Sequence, residues 1–147
     1  MIADDNGRMS TIDAITKLLA SDNPESFIAK NNIMEQIPSL SHYISEMCDL
    51  KEISIAKLFF EADIEKSHGY QIIKGRRRLS RDNALKIAFV LNLSVQETQR
   101  LLTLSMNSHL YPFVPRDAAI LFYLNNGVNY MDAQINLDDL GMTVLGD

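Results

Sequence analysis

The chain has a single cysteine, Cys48, among 147 residues. This excludes an intramolecular disulfide and a multi-cysteine zinc site, and it suits a reducing cytoplasm. No long hydrophobic run is present: the longest, Ala118 to Leu124, falls far short of the ~20 residues that cross a bilayer. Asp4 and Asp5 stand where a signal peptide would be basic, so the expectation is a cytoplasmic chain that neither spans a membrane nor is exported. P-loop, nucleophile-elbow, HExxH and dinucleotide motifs are missing. His42, His68 and His109 lie far apart without ligand spacing. The reading is therefore a non-enzyme with no metal and no cofactor. Cys48, in or at the end of an apolar helix, reads as a packed thiol.

No stretch alternates cleanly enough for a strand, and there is no internal repeat. What is present is helical periodicity. With 46% hydrophobic and 22% charged residues the chain has the composition of a globular protein, and its length suits one domain with extras. The fold class expected is all-α. Residues 1–37 hold accessory helices, one around Ile12 to Ala20 and one opened by Asp22, Asn23 and Pro24. Residues 38–104 hold five helices. Leu40, Ile44 and Met47 mark the first, ending near Asp49. Ile55, Leu58, Phe59 and Ala62 mark the second, capped by Ser54. The third runs from Lys66 to Lys74 and stops at Gly75. A fourth, from Ser80 or Arg81 to Leu91, is apolar all round and must be central. The fifth opens with a capping box, Ser94 and Glu97. Residues 105–147 form a C-terminal extension: a proline-interrupted strap, a helix from Pro115 to about Asn125, and another from Asn129 to Leu140 before Gly141. Tyr111, Phe113, Phe122 and Tyr123 read as core in preference to a ligand pocket.

Acidic residues are missing where basic ones concentrate. Lys66, Lys74, Arg76, Arg77, Arg78 and Arg81 fall in one stretch with no Asp or Glu, which leaves 8 basic against 19 acidic residues elsewhere, a formal charge of −11 on the rest of the chain. A compact cationic patch on an acidic body suits contact with phosphate over a small part of the surface.

Five helices with a tight second-to-third turn and a cationic loop after the third resemble the helix-turn-helix of the phage-repressor and Cro group, the XRE-like transcriptional regulators. The resemblance spans Pro38 to Leu104. It rests on Ile72-Ile73-Lys74-Gly75, the arginines, Ser80, Leu85-Lys86-Ile87-Ala88 and Leu91-Asn92-Leu93-Ser94. His68-Gly69-Tyr70-Gln71-Ile72, with Ser80-Arg81-Asp82 and Leu110-Tyr111-Pro112, also resembles a narrower bacterial group of such regulators, with no established target. The resemblance implies a lambda-repressor-like five-helix domain that binds double-stranded DNA as a sequence-specific regulator. It implies base contacts from Lys66, Ser67 and Gln71, and phosphate contacts from Lys74, Arg76, Arg78 and Arg81, with Arg77 extending the patch. On a helical wheel Gly69, Ile72 and Ile73 share one side of the third helix, with Ser67, Gln71 and Lys74 opposite. Gln pairs bidentately with adenine, so Gln71 carries the discrimination. A reading head this small implies a homodimer on a two-fold operator. A small-molecule effector stays open. The alternative function is a helical protein–protein interaction module that has lost DNA.

Departures from the family pattern at five positions bear on this. Gly69 stands where a packed aliphatic is usual, and Phe59 where a small residue is usual; a large side chain opposite a glycine conserves volume. Ile55 replaces a polar residue that often bonds phosphate. Tyr70 and Ile73 are larger than usual and are expected to pack under the C-terminal extension.

Overall fold

In a computed structural model, residues 11–31 and 39–146 are described. The chain divides into two compact units, Met1–Pro38 and Ser39–Asp147.

In the first unit, α1 (Thr11–Ala20) and α2 (Pro24–Asn31) pack on each other. The Asn23 side chain accepts from the Ser26 amide at 2.7 Å and so starts α2, with Pro24 in the first turn where its missing N–H is harmless. The i, i+3, i+7 stripe of α1, Ile12, Ile15 and Leu19, is exposed.

The second unit is all-helical among the described residues: α3 (Leu40–Leu50), α4 (Ile55–Glu61), α5 (Lys66–Ile73), α6 (Arg81–Val90), α7 (Val95–Leu104), α8 (Pro115–Asn125) and α9 (Tyr130–Asp139). Each start has a chemical cause. The hydroxyls of Ser39, Ser54 and Ser80 accept from the third amide of α3, α4 and α6. Ser94 and Glu97 form a full capping box on α7, and Asn129 caps α9. The ends are less conventional. Gly75 closes α5 with φ 74°, but Glu52, Asp63, Asn92 and Met106 take the same left-handed conformation after α3, α4, α6 and α7 with φ between 51° and 59°. Each makes the same pair of bonds: after α4, for instance, Ile64 N–H reaches the Phe59 carbonyl at 2.9 Å and Asp63 N–H that of Phe60 at 3.3 Å. Glycine is what a sequence shows at such ends; here side chains bear the strain instead.

The core forms around α6, which packs against α4, α7 and α9 and is buried from Asn83 through Phe89. The C-terminal extension belongs to that core. Leu110, Ile120, Leu124, Ala133, Leu137 and Leu145 join the same buried cluster as Leu58, Leu85 and Leu102. Two glutamines fasten the irregular segments in the same way. Gln99 gives its amide N–H to the Leu110 carbonyl and accepts the Leu110 N–H; Gln134 does the same for Leu145. Turning Leu110 inward turns its neighbours outward. Phe113 is 82% exposed and Phe122 65%, with Tyr111 also exposed, so the expectation that these three aromatics are core is corrected, whereas Tyr123 is half-buried and packs against the core.

No described helix is long and apolar enough to cross a membrane.

Candidate nucleic-acid interface

The residues expected to meet DNA lie on α5, on the loop after it and, for Arg81, at the start of α6. The turn from α4 to α5 is short, from Ala62 to Glu65. The N-cap of α5 is Glu65, whose carboxylate accepts from Ser67 N–H at 3.3 Å and His68 N–H at 3.2 Å. The amides of the first turn are thus occupied by the chain's own anion. Recognition by this helix end falls to side chains. Glu is an uncommon N-cap, which is why the sequence did not single it out.

The inward face of α5 is set by Gly69 and Ile72, both buried. A Cβ built on Gly69 would fall 2.7 Å from the Phe59 ring, so Phe59 supplies the volume the glycine omits. Tyr70 packs edge-on against the same ring, centroids 5.4 Å apart. Ser41 Oγ of α3 donates to the Ile73 carbonyl. Tyr70 thus packs on α4 and the Ile73 backbone is tied to α3, while both side chains lie half-buried against the cluster that the C-terminal extension joins. Ile55, half-buried against the core, offers no polar group.

On the outward face, Lys66 and Ser67 are exposed and Gln71 is half-exposed. At the far end Gly75 N–H bonds the Ile72 carbonyl and Arg76 N–H the Gln71 carbonyl, a left-handed closure that Gly75 adopts without strain and that carries the chain past the end of α5 into Arg76, Arg77 and Arg78. Lys74 and the three arginines are exposed. Arg77 donates to His68 Nδ1 at 3.3 Å, and Arg78 to the Met106 carbonyl at 2.7 Å and to Asn107 Oδ1 at 3.2 Å. Among the described residues, no carboxylate forms a salt bridge with Lys66, Lys74, Arg76, Arg77 or Arg78.

Arg81, expected as a phosphate contact, differs from the other cations in being engaged within the protein. Its guanidinium pairs with both oxygens of the buried Asp117 at 3.0 and 2.8 Å and donates to the carbonyls of Ser108 and His109. That leaves one of its five N–H groups without a partner of this kind. Its neighbour Asp82 mirrors it, held by both terminal nitrogens of Arg116 at 3.0 and 2.9 Å and by Gly146 N–H at 3.0 Å. Burial pushes the Asp82 carboxyl upward, but the bonds from Arg116 and Gly146, with the nearby charges of Arg116 and Arg81, hold it below the usual carboxylate range. Two adjacent Arg-Asp dipeptides therefore cross-pair at the N-termini of α6 and α8, and they bind the extension to the five helices.

Cys48 is buried, and burial, assisted by Asp49, pushes its thiol to about 11. Its side chain belongs to the buried apolar cluster. No protein-family model, curated protein or solved structure matches the chain.

Proposed function

We propose that the chain is a sequence-specific DNA-binding transcriptional regulator of the XRE-like kind. In this reading Leu40 to Leu104 forms a lambda-repressor-like five-helix domain and α5 enters the major groove. Lys66, Ser67 and Gln71 face base edges, with Gln71 discriminating. Lys74, Arg76, Arg77 and Arg78 neutralise phosphates, and Arg81 instead holds the extension in place. The regulator works in the cytoplasm as a homodimer on a two-fold operator.

One observation carries this reading. The outward side of α5 and the loop after it present five cations that no carboxylate among the described residues pairs with, while the opposite side of the same helix is packed on Phe59. A surface built only to be soluble has no need to keep its cations together and unpaired on an acidic chain.

A rival reading, a helical protein-interaction module without DNA, is favoured at one place: Glu61, Asp63 and Glu65 are exposed immediately before α5. A gel shift on mixed genomic DNA separates the two. The DNA reading expects retardation at low salt with a log–log salt slope of roughly −3 to −4, for about four phosphate contacts. Absence of retardation at low salt, or retardation indifferent to replacing Arg76, Arg77 and Arg78 with alanine, defeats it.

A further inference from the structure

A groove of ≈ 1000 Å³ runs between the α4–α5 turn and the start of α9. Its floor is apolar, from the buried Phe59 and Ile64. Its walls carry two large side chains with no cover: Phe60 is 83% exposed and Met131 71%. Its rim is acidic. Glu61, Asp63 and Glu65 are exposed along it; Lys66 is the one cation among its lining residues, and Lys57, on the helical turn before, lies 3.8 Å from Glu61 in an exposed pair. Asp63 is aimed by the Tyr130 hydroxyl, which donates to its Oδ2 at 3.2 Å across the groove.

We infer that this groove docks a cationic amphipathic segment of a partner protein, with an apolar side chain seated between Phe60 and Met131 and Lys or Arg residues set against Glu61, Asp63 and Glu65. Charge selects the occupant. A nucleic-acid backbone would meet three carboxylates here and be repelled. A second copy docked face to face across a two-fold axis would oppose each carboxylate with others of its kind. A helix or strand with apolar anchors and basic flanks satisfies both the floor and the rim. The docking does not rest on the DNA reading. If that reading holds, the two sites meet at Lys66, and a partner in the groove would crowd a duplex approaching the start of α5.

The test uses the full chain, isotope-labelled, and no DNA. One probe is a synthetic amphipathic peptide of leucines and lysines at helical spacing; the control has glutamates in place of the lysines. The lysine peptide is expected to move the amide resonances of Phe60, Asp63 and Met131 and to bind at least about tenfold more tightly than the glutamate peptide. Phe60→Ser, and separately Glu61→Gln with Asp63→Asn, should each weaken it about tenfold. Phe60 and Glu61 are exposed and Asn tolerates the left-handed conformation, so all these variants should fold, as an unchanged far-UV spectrum would verify. Equal binding of the two peptides, shifts confined to other acidic surfaces, no binding at all, or affinity indifferent to Phe60→Ser would each overturn the inference. So would self-association of the chain that Phe60→Ser abolishes. A failed gel shift touches none of these readouts.

Discussion

The ring of Phe59 occupies the space that a side chain at Gly69 would need: Cδ2 and Cε2 lie 2.7 Å from where a Cβ would stand. Phe59 belongs to α4 and Gly69 to α5, so this contact sets how closely the two helices approach.

Gly69→Ala gains about 1 kcal/mol of helix propensity but drives a methyl into a ring that is 2% exposed and has nowhere to go. Overpacking of this kind costs about 1–3 kcal/mol, so a net loss of stability is expected in urea denaturation. Phe59→Leu in the same chain should recover part of the loss, because the pair shares one volume. A gain from the single change would show that the ring yields.

Arg81→Ala should act on stability and not on DNA. It leaves the Asp117 carboxylate, 6% exposed, without its partner, and breaking a buried pair on one side costs about 3–5 kcal/mol. Arg76→Ala, at an exposed position, should leave the melting temperature unchanged and reduce the salt slope by about 1. Thermal melts and salt titrations on the two variants test the distinction; the reverse outcome would restore Arg81 to the DNA face.

Specificity should separate from affinity along α5. With a selected operator, Gln71→Ala is expected to relax discrimination at a single base pair by about 1–3 kcal/mol, whereas Arg76→Ala weakens every sequence alike. Competition assays against single-base operator variants would show it. Uniform losses from both changes would contradict the roles.

Acid should loosen the second unit through Asp82. Its folded carboxyl titrates below the usual range, so its contribution is complete above the unfolded value, about 3.9 for Asp, and is lost as pH falls through the lower folded value. Urea midpoints measured from pH 7 downward should therefore drop on the acid side of pH ~4, and Asp82→Asn should flatten that drop.

Glu52→Gly should stabilise. Glu52 sits at φ 57° after α3, exposed. The left-handed conformation costs about 1–2 kcal/mol in a residue with a Cβ, against about 0.5–1 kcal/mol of extra chain entropy for glycine. A net gain of about 0.5–1 kcal/mol in a chemical melt is the expected result.

Much of the helical layout was legible because its signals are local. The hydroxyls of Ser54, Ser80 and Ser94 and the amide of Asn129 cap the helices they precede, and Gly75 and Pro115 bound α5 and α8. The wheel of α5 was legible too, since its buried Gly69 and Ile72 face away from Ser67. The left-handed ends at Glu52, Asp63, Asn92 and Met106 were not, since nothing in those side chains announces the conformation. Nor was Glu65 as a cap. The groove beside Phe60 was invisible because its walls come from α4 and α9, and Asp63 and Tyr130 are 67 residues apart.

The sequence by itself determined the helices and the clustering of cations, because hydrogen-bonding caps, apolar periodicity and charge runs act between residues a few positions apart. Which cations remain free was decided only by the tertiary structure. Arg76 and Arg81 belong to the same basic run, yet Arg81 is neutralised by a carboxylate 36 positions away and Arg76 pairs with none among the described residues. The burial that makes an Arg81–Asp117 pair form, and makes its loss costly, is set by packing between α6 and the extension, and no run of neighbouring residues encodes that proximity.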